Sequence, residues 1–108
     1  MPRRSTPSLI HGRVPAPVLA EVCRGGRFDA AVNAVLNRGA IVVAELTREI
    51  AQRAGALLAR ARMSWANAID AFVVATALEF DTAVIASGDA ADLGRLAADY
   101  RQISLMHL

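Results

Sequence analysis

A single carboxylate inside an otherwise apolar run constrains the fold of this chain more than any other feature. Residues 67–80 carry apolar side chains at helical spacing, which predicts a helix with one face against a core. Asp70 lies on the neighbouring side of that helix, among small and apolar residues. An unpaired buried charge costs on the order of several kcal/mol, so a backbone cap, an arginine partner or a metal ion must stabilise it. A first-turn aspartate that caps its own helix is the simplest explanation.

A second aspartate follows a predicted strand. Residues 82–87 form an uncharged run with β-branched side chains, which predicts a short strand buried on both faces. Gly88 allows a sharp exit, and Asp89 then stands at the carboxyl end of this strand and at the start of a helix predicted over residues 90–100. Ligands of open α/β sheets bind at the carboxyl ends of strands. Asp89 is therefore either a helix cap or a ligand, since aspartate is also a favoured N-cap.

Length and composition limit the class of protein. With 108 residues, 55% of them apolar and 5% aromatic, the chain is long enough for one domain with helices packed on a small sheet. No apolar run approaches the roughly 20 residues that cross a bilayer, and no secretory signal is recognisable. A cytoplasmic protein is expected, in which the single Cys23 is a buried apolar residue and neither His11 nor His107 binds metal.

The basic residues give weak support for a nucleic-acid partner. The formal net charge is only +2, which is too small to establish such a partner. All twelve basic residues are arginine, whose planar fork suits phosphate groups, although coding bias explains such a composition equally well.

The remaining elements alternate in type. We predict, in chain order, a short strand within residues 9–14, helices over 15–24 and 27–37, a strand over 40–44, a helix over 47–62 and a last strand over 103–106. Helices that alternate with short buried strands predict a parallel α/β sheet covered on both faces.

Several single residues carry separate expectations. Thr47 and Ser64 are predicted helix caps, and Gly55 suggests a close contact between helices. Trp65 is interpreted either as a lid on the core or as a partner contact. Glu21 falls in the first predicted helix, where an exposed acid that pairs with Arg24 is the simplest explanation.

From residue 13 to about residue 106 the chain resembles a PIN domain, specifically a VapC-type toxin of the VapBC toxin–antitoxin systems. The matching pieces are VPAPVLAEV at 14–22, RAGALLAR at 53–60, AIDAFVVATA at 68–77 and SGDAADL at 87–93. Their order and spacing carry the resemblance. It implies a three-layer α/β/α fold with a short parallel sheet. It also implies a Mg²⁺- or Mn²⁺-dependent endoribonuclease, which forms a homodimer and is held by a VapB-type antitoxin.

The resemblance also implies the site. Glu21, Asp70 and Asp89 match the second, third and fourth acids of the family, and Asp92 and Ser87 match further groups near them. Carboxylates that hold Mg²⁺ can orient a water for in-line attack on a phosphodiester of RNA. Three arginines are candidates, by position, for contacts with the RNA backbone: Arg24, Arg27 and Arg62.

One departure from the family concerns the start of the chain. The family opens with a hydrophobic strand that ends in an aspartate, whereas residues 1–12 contain no acid. We expect a loose segment over 1–12 and an N-terminally truncated, incomplete domain over 13–108. Three explanations are open: a true start upstream, a degenerate chain, or a partner or second copy that fills the position.

Two alternatives to the ribonuclease interpretation remain. The first is a catalytically inactive, truncated PIN-like module that binds an antitoxin or self-associates, and metal dependence would separate it from the enzyme. The second is a small helical nucleic-acid binder with a helix-turn-helix in residues 40–58. The strand-like runs TAVIAS and ISLM argue against the second alternative.

Overall fold

The computed structural model describes residues 9–10, 13–19, 25–36, 42–88 and 90–107, and these form one five-stranded sheet with helices packed on it. The strands, in chain order, are β1 (Leu9–Ile10), β2 (Arg13–Pro15), β3 (Val42–Ala44), β4 (Ala83–Ser87) and β5 (Ile103–His107). The helices are α1 (Arg27–Leu36), α2 (Arg48–Ala61), α3 (Ala68–Ala77) and α4 (Ala91–Ala97). Two 3-10 turns cover Ala16–Val18 and Trp65–Asn67.

Strand direction in the sheet is uniform except at its centre. The spatial order is β3-β2-β1-β4-β5, in which β2 pairs with β3 and β4 pairs with β5 in parallel. The two-residue strand β1 is antiparallel to both of its neighbours, with Leu9 opposite Ala86 and Ile10 opposite Ile85. It follows that β2, β3, β4 and β5 share one direction. The predicted PIN-like α/β fold with a short parallel sheet is confirmed, and β1 is its exception.

The first predicted strand is wrong in its form. The sequence favoured one strand within residues 9–14, whereas the structure has β1 and β2, which run in opposite directions and pair through Ile10 and Arg13. Gly12 lies between them in the sequence, and a glycine inside a strand pattern favours a break. Apart from β1, the segment predicted to be loose over 1–12 lies outside the described residues.

Helix α3 is the centre of the packing. It contacts α2, α4 and the three strands β1, β2 and β4. Six of its ten residues are buried: Ala71, Val73, Val74, Ala75, Thr76 and Ala77. The hydroxyl of Thr76 is satisfied there, because it donates to the carbonyl oxygen of Phe72 at 2.7 Å. The helix is shorter than the predicted 67–80, since the chain turns after Ala77.

Helix α2 begins as predicted and ends in an unusual conformation. The hydroxyl oxygen of Thr47 accepts from the backbone N–H of Ile50 at 3.1 Å, which confirms the cap. At the other end, Arg62 adopts the left-handed conformation with φ 57°. The close helix contact suggested by Gly55 is wrong: no described atom lies within 4 Å of a Cβ built on it. Glycine there is simply an exposed helix position.

Strand β4 is covered on one face only. Ala83, Ile85 and Ser87 are buried, but Val84 is 47% exposed, so the prediction of burial on both faces is wrong. The parallel register with β5 puts Ala86 opposite Met106, which is 49% exposed. An uncharged apolar run does not reveal which of its faces another element covers, and this caused the error.

The other predicted elements are recovered with shorter bounds. The helix predicted over 27–37 is α1, the helix over 90–100 is α4, and the strands over 40–44 and 103–106 are β3 and β5. In the helix predicted over 15–24, the described part is a 3-10 turn, and residues 20–24 lie outside the described residues. Within the described ranges, no helix is long and apolar enough to cross a membrane.

Candidate active site

The carboxyl ends of four strands meet at one edge of the sheet. This follows from the common direction of β2, β3, β4 and β5. The chain leaves β4 at Ser87 and reaches the start of α4 at Ala91. It leaves β2 at Pro15 and enters the 3-10 turn, which packs on α3. In open α/β folds this edge is where ligands bind.

Asp70 lies in the first turn of α3 and is partly buried. The chain enters that helix through the turn Trp65–Asn67, which begins at Ser64. The Ser64 hydroxyl oxygen accepts from the backbone N–H of Ala66 at 3.2 Å. The predicted cap is therefore present, although it closes the 3-10 turn rather than the α-helix itself. A carboxylate in a first turn is favoured by the helix dipole, which offsets part of the cost of its burial.

A side-chain bridge joins the starts of α3 and α4. The amide nitrogen Nδ2 of Asn67 donates to Oδ2 of Asp92 at 3.0 Å in a partly buried position. Asn67 precedes α3, and Asp92 lies in the first turn of α4. Asp70 follows Asn67 by three residues and lies in the first turn of α3. The bridge therefore brings the helix turns that carry Asp70 and Asp92 to one corner.

Ser87 lies at the same edge of the sheet. It is the last residue of β4, and only 8% of its surface is exposed. Ser87, Asp70 and Asp92 all offer oxygen atoms, the donors that Mg²⁺ and Mn²⁺ prefer. In their chemistry, these three side chains fit a hard divalent cation. Among the described residues there is no group of three or more acidic, histidine or cysteine side chains that could hold a metal ion.

The other predicted site residues are described in part or not at all. Glu21, Arg24 and Asp89 lie outside the described residues, as does the side chain of Arg27 at the start of α1. Arg62 is exposed at the end of α2. The catalytic, metal-binding and RNA-binding roles given to all these residues stay predictions.

Sequence reasoning missed Asn67. An asparagine just before a helix ordinarily indicates a cap, but here its side chain bonds Asp92 instead of its own helix. Asn67 and Asp92 are 25 residues apart in the chain, so no local sequence pattern indicates that their side chains meet.

The structure decides against one of the two interpretations of Trp65. The indole is 85% exposed, so Trp65 is not a lid on the core. It stands at the start of the turn that leads to Asn67 and Asp70.

Other acids have structural partners away from this corner. Asp29 accepts from the backbone N–H of Gly25 at 2.9 Å and so caps the start of α1. Asp99 pairs with Arg60 at 2.9 Å, and Glu79 pairs with Arg53 at 3.5 Å. Both ion pairs are about half exposed or more, and each contributes at most about 1 kcal/mol.

Oxygen donors at the carboxyl edge of a mostly parallel sheet define a class of proteins, the α/β proteins that use this edge for ligands or ions. The comparison with protein families is more specific, since the PIN domain profile matches residues 7–98 of the 108. The chain belongs to the PIN domain family. Members of this family are generally nucleases that use divalent metal ions. No curated protein and no solved structure matches the chain.

Proposed function

We propose that this chain is a Mg²⁺- or Mn²⁺-dependent endoribonuclease and the toxin component of a type II toxin–antitoxin system of the VapC type. One observation supports the proposal most: the hydrogen bond from Asn67 to Asp92 gathers the acidic first turns of α3 and α4 at the carboxyl edge of the sheet. Family membership supplies the reaction class, which is metal-dependent cleavage of a nucleic acid. The choice of RNA rests on the sequence resemblance.

In this proposal the metal is held by Asp70 and Asp92, with Ser87 beside them and with Glu21 and Asp89 as further acids. When bound, the ion supplies Lewis-acid stabilisation of the phosphodiester and activates a water. Asn67 keeps the Asp92 carboxylate in one orientation, so that it need not be ordered when the metal binds. The partial burial of Asp70 strengthens its electrostatic interactions by lowering the local dielectric constant.

The decisive experiment measures cleavage of a single-stranded RNA by the purified chain, with Mg²⁺, with Mn²⁺ and with EDTA. Asp70→Asn keeps the size of the side chain and removes its charge, and we expect it to lower the rate by about 100-fold or more. Asp81→Asn is the matched control, because Asp81 is exposed in the turn between α3 and β4. This control should cleave like the parent chain.

A result with no metal-dependent cleavage, from chain shown to be folded by circular dichroism, would refute the enzyme. It would favour a catalytically inactive PIN-like module that binds an antitoxin or self-associates. One structural observation gives weight to this alternative. The centre of the sheet is held by a strand of two residues that runs against its neighbours.

The toxin role and the partners belong to the same proposal. We propose a cytoplasmic homodimer that is neutralised by a VapB-type antitoxin. Induced expression of the chain should arrest bacterial growth, and expression of Asp70→Asn at the same level should not. Light scattering of the purified chain gives its mass in solution and so tests the dimer.

A further inference from the structure

An exposed tryptophan lies close in the chain to the candidate active site. Trp65 is 85% exposed, although tryptophan is on average among the more deeply buried residues. It is the one tryptophan of the chain. Asn67, whose side chain bonds Asp92, lies two positions after Trp65 in the chain, and Asp70 lies five positions after it.

The backbone under Trp65 is fixed on both sides. The Ser64 hydroxyl oxygen accepts from the Ala66 N–H at 3.2 Å, and the Ser64 carbonyl oxygen accepts from the Asn67 N–H at 3.0 Å. The Asn67 side chain in turn bonds Asp92. The indole therefore projects into solvent from an ordered turn that is tied to the acidic corner. Because the backbone of this turn is already ordered, only the side-chain torsions of Trp65 lose freedom when a flat ligand stacks on the ring.

The surroundings of Trp65 favour a nucleobase over a protein surface. Its sequence neighbours Ser64 and Ala66 are exposed and small, and Arg62, also exposed, precedes it by three residues. A protein-docking patch is normally a contiguous apolar area, which these residues do not make. Stacking requires only an open ring face, and an arginine nearby suits the phosphate that accompanies each base. Between Arg53 and Asp70 the chain carries two arginines, of which Arg60 pairs with Asp99 at 2.9 Å, so Arg62 is the candidate for the phosphate contact.

We propose that Trp65 is a stacking platform for one unpaired base of the single-stranded RNA substrate, and that it holds the neighbouring phosphodiester at the corner of Asp70 and Asp92. This inference rests on the proposed function, since it names a substrate-positioning residue for that reaction. In this proposal, base stacking as well as phosphate contacts determines where the RNA lies on the protein.

Because Trp65 is the sole tryptophan of the chain, its fluorescence reports whether a base is stacked on it. In EDTA, titration with a single-stranded RNA oligomer should quench the indole emission, because a stacked base covers the ring. The same sequence annealed as a duplex should quench far less, because its bases are paired and stacked on one another. A parallel titration of 5′-labelled RNA by fluorescence anisotropy gives the affinity of variants that lack the tryptophan.

The variants separate stacking from simple apolar contact. Trp65→Ala should weaken binding of single-stranded RNA by about 5- to 150-fold, the range that corresponds to base stacking of about 1–3 kcal/mol. Trp65→Phe should retain most of the affinity, whereas Trp65→Leu should behave like the alanine variant. Val84→Ala shortens another exposed apolar side chain, near the amino end of β4, and is the matched control, with affinity expected to be unchanged.

The outcomes distinguish this proposal from the proposed function. If RNA is cleaved in a metal-dependent way but neither quenches Trp65 nor loses affinity in Trp65→Ala, the platform is refuted and the nuclease stands. If RNA quenches the indole but is not cleaved, the nuclease fails and the platform stands. If Trp65→Ala leaves RNA affinity unchanged and abolishes self-association in light scattering, Trp65 is a protein contact and the platform is refuted.

Discussion

Asn67 and Asp92, 25 residues apart in the chain, are joined by a hydrogen bond of 3.0 Å that fixes the start of α3 against the start of α4. The bond satisfies one oxygen of a carboxylate in the first turn of α4, and it uses a side chain that could otherwise have capped α3. Asn67 therefore fixes the position of one acid of the candidate site, Asp92, although it is not itself an acid.

The first prediction tests this role of Asn67. Asn67→Ala should lower the free energy of unfolding by about 1 kcal/mol, because it removes a partly buried hydrogen bond. Asn67→Asp should cost at least about 1 kcal/mol more at low salt, since it brings a second negative charge close to Asp92. If a cation binds at this corner, Mg²⁺ should recover stability in Asn67→Asp more than in Asn67→Ala. Urea unfolding with and without Mg²⁺ measures both effects, and the absence of any Mg²⁺ response in both variants would contradict a cation site.

The second prediction concerns an exposed helix glycine. Gly55→Ala should raise the free energy of unfolding by about 0.8–1 kcal/mol, because alanine has the higher helix propensity and no described atom opposes its Cβ. Gly26→Ala provides the contrast, since Gly26 has φ +57° and an alanine there should cost about 1 kcal/mol. Urea midpoints that shift in opposite directions would confirm the assignment, and a destabilised Gly55→Ala would contradict it.

The third prediction uses the left-handed end of α2. Arg62→Gly should stabilise the protein by about 0.5–1 kcal/mol, because glycine relieves the strain of φ 57° and loses some of this gain through its freer unfolded chain. Arg101→Gly is the control. Arg101 is not one of the described residues with positive φ, so glycine there should lower the free energy of unfolding by about 0.4–1 kcal/mol. Thermal unfolding of both variants measures the difference.

The same Arg62 variant tests a predicted contact with RNA. If Arg62 binds a phosphate, Arg62→Gly should weaken RNA binding while it stabilises the fold. It should also reduce the dependence of log affinity on log salt by about one unit. An unchanged salt slope would remove Arg62 from the RNA-binding residues.

The fourth prediction compares adjacent residues of β4. Ile85 is fully buried, so Ile85→Ala should lower the free energy of unfolding by about 2–5 kcal/mol. Val84 points to the exposed face, and Val84→Ala should cost less than about 1 kcal/mol. Similar losses in both variants would show that the second face of β4 is covered in solution, for example by another molecule.

The sequence predicted those features that depend on local chemistry. Thr47 and Ser64 were recognised as caps because hydroxyl groups before a helix accept its first N–H groups. The helices and short strands followed from the spacing of apolar residues, and the α/β class followed from their alternation.

Features that depend on distant parts of the chain were not predictable in this way. Trp65 could not be assigned to the surface, because sequence does not state whether another element covers it. The reversed direction of β1 and the Asn67–Asp92 bond depend on contacts between segments far apart in the chain. The roles predicted for Glu21, Asp70 and Asp89 rest on the resemblance, not on local sequence chemistry.

The short central strand has a consequence for how stability and activity are connected. In the part of the chain that the structure describes, two residues of β1 carry the backbone pairing that joins the two parallel strand pairs, and this line across the sheet is a weak seam. Helix α3 packs across that seam, in contact with β1, β2 and β4, and its first turn carries Asp70. Loosening of α3 would separate the halves of the sheet and displace the carboxylate in one event. A cation bound at Asp70 would therefore stabilise the packing of α3 across the two halves of the sheet. Amide hydrogen exchange in β4 should slow as the metal concentration rises.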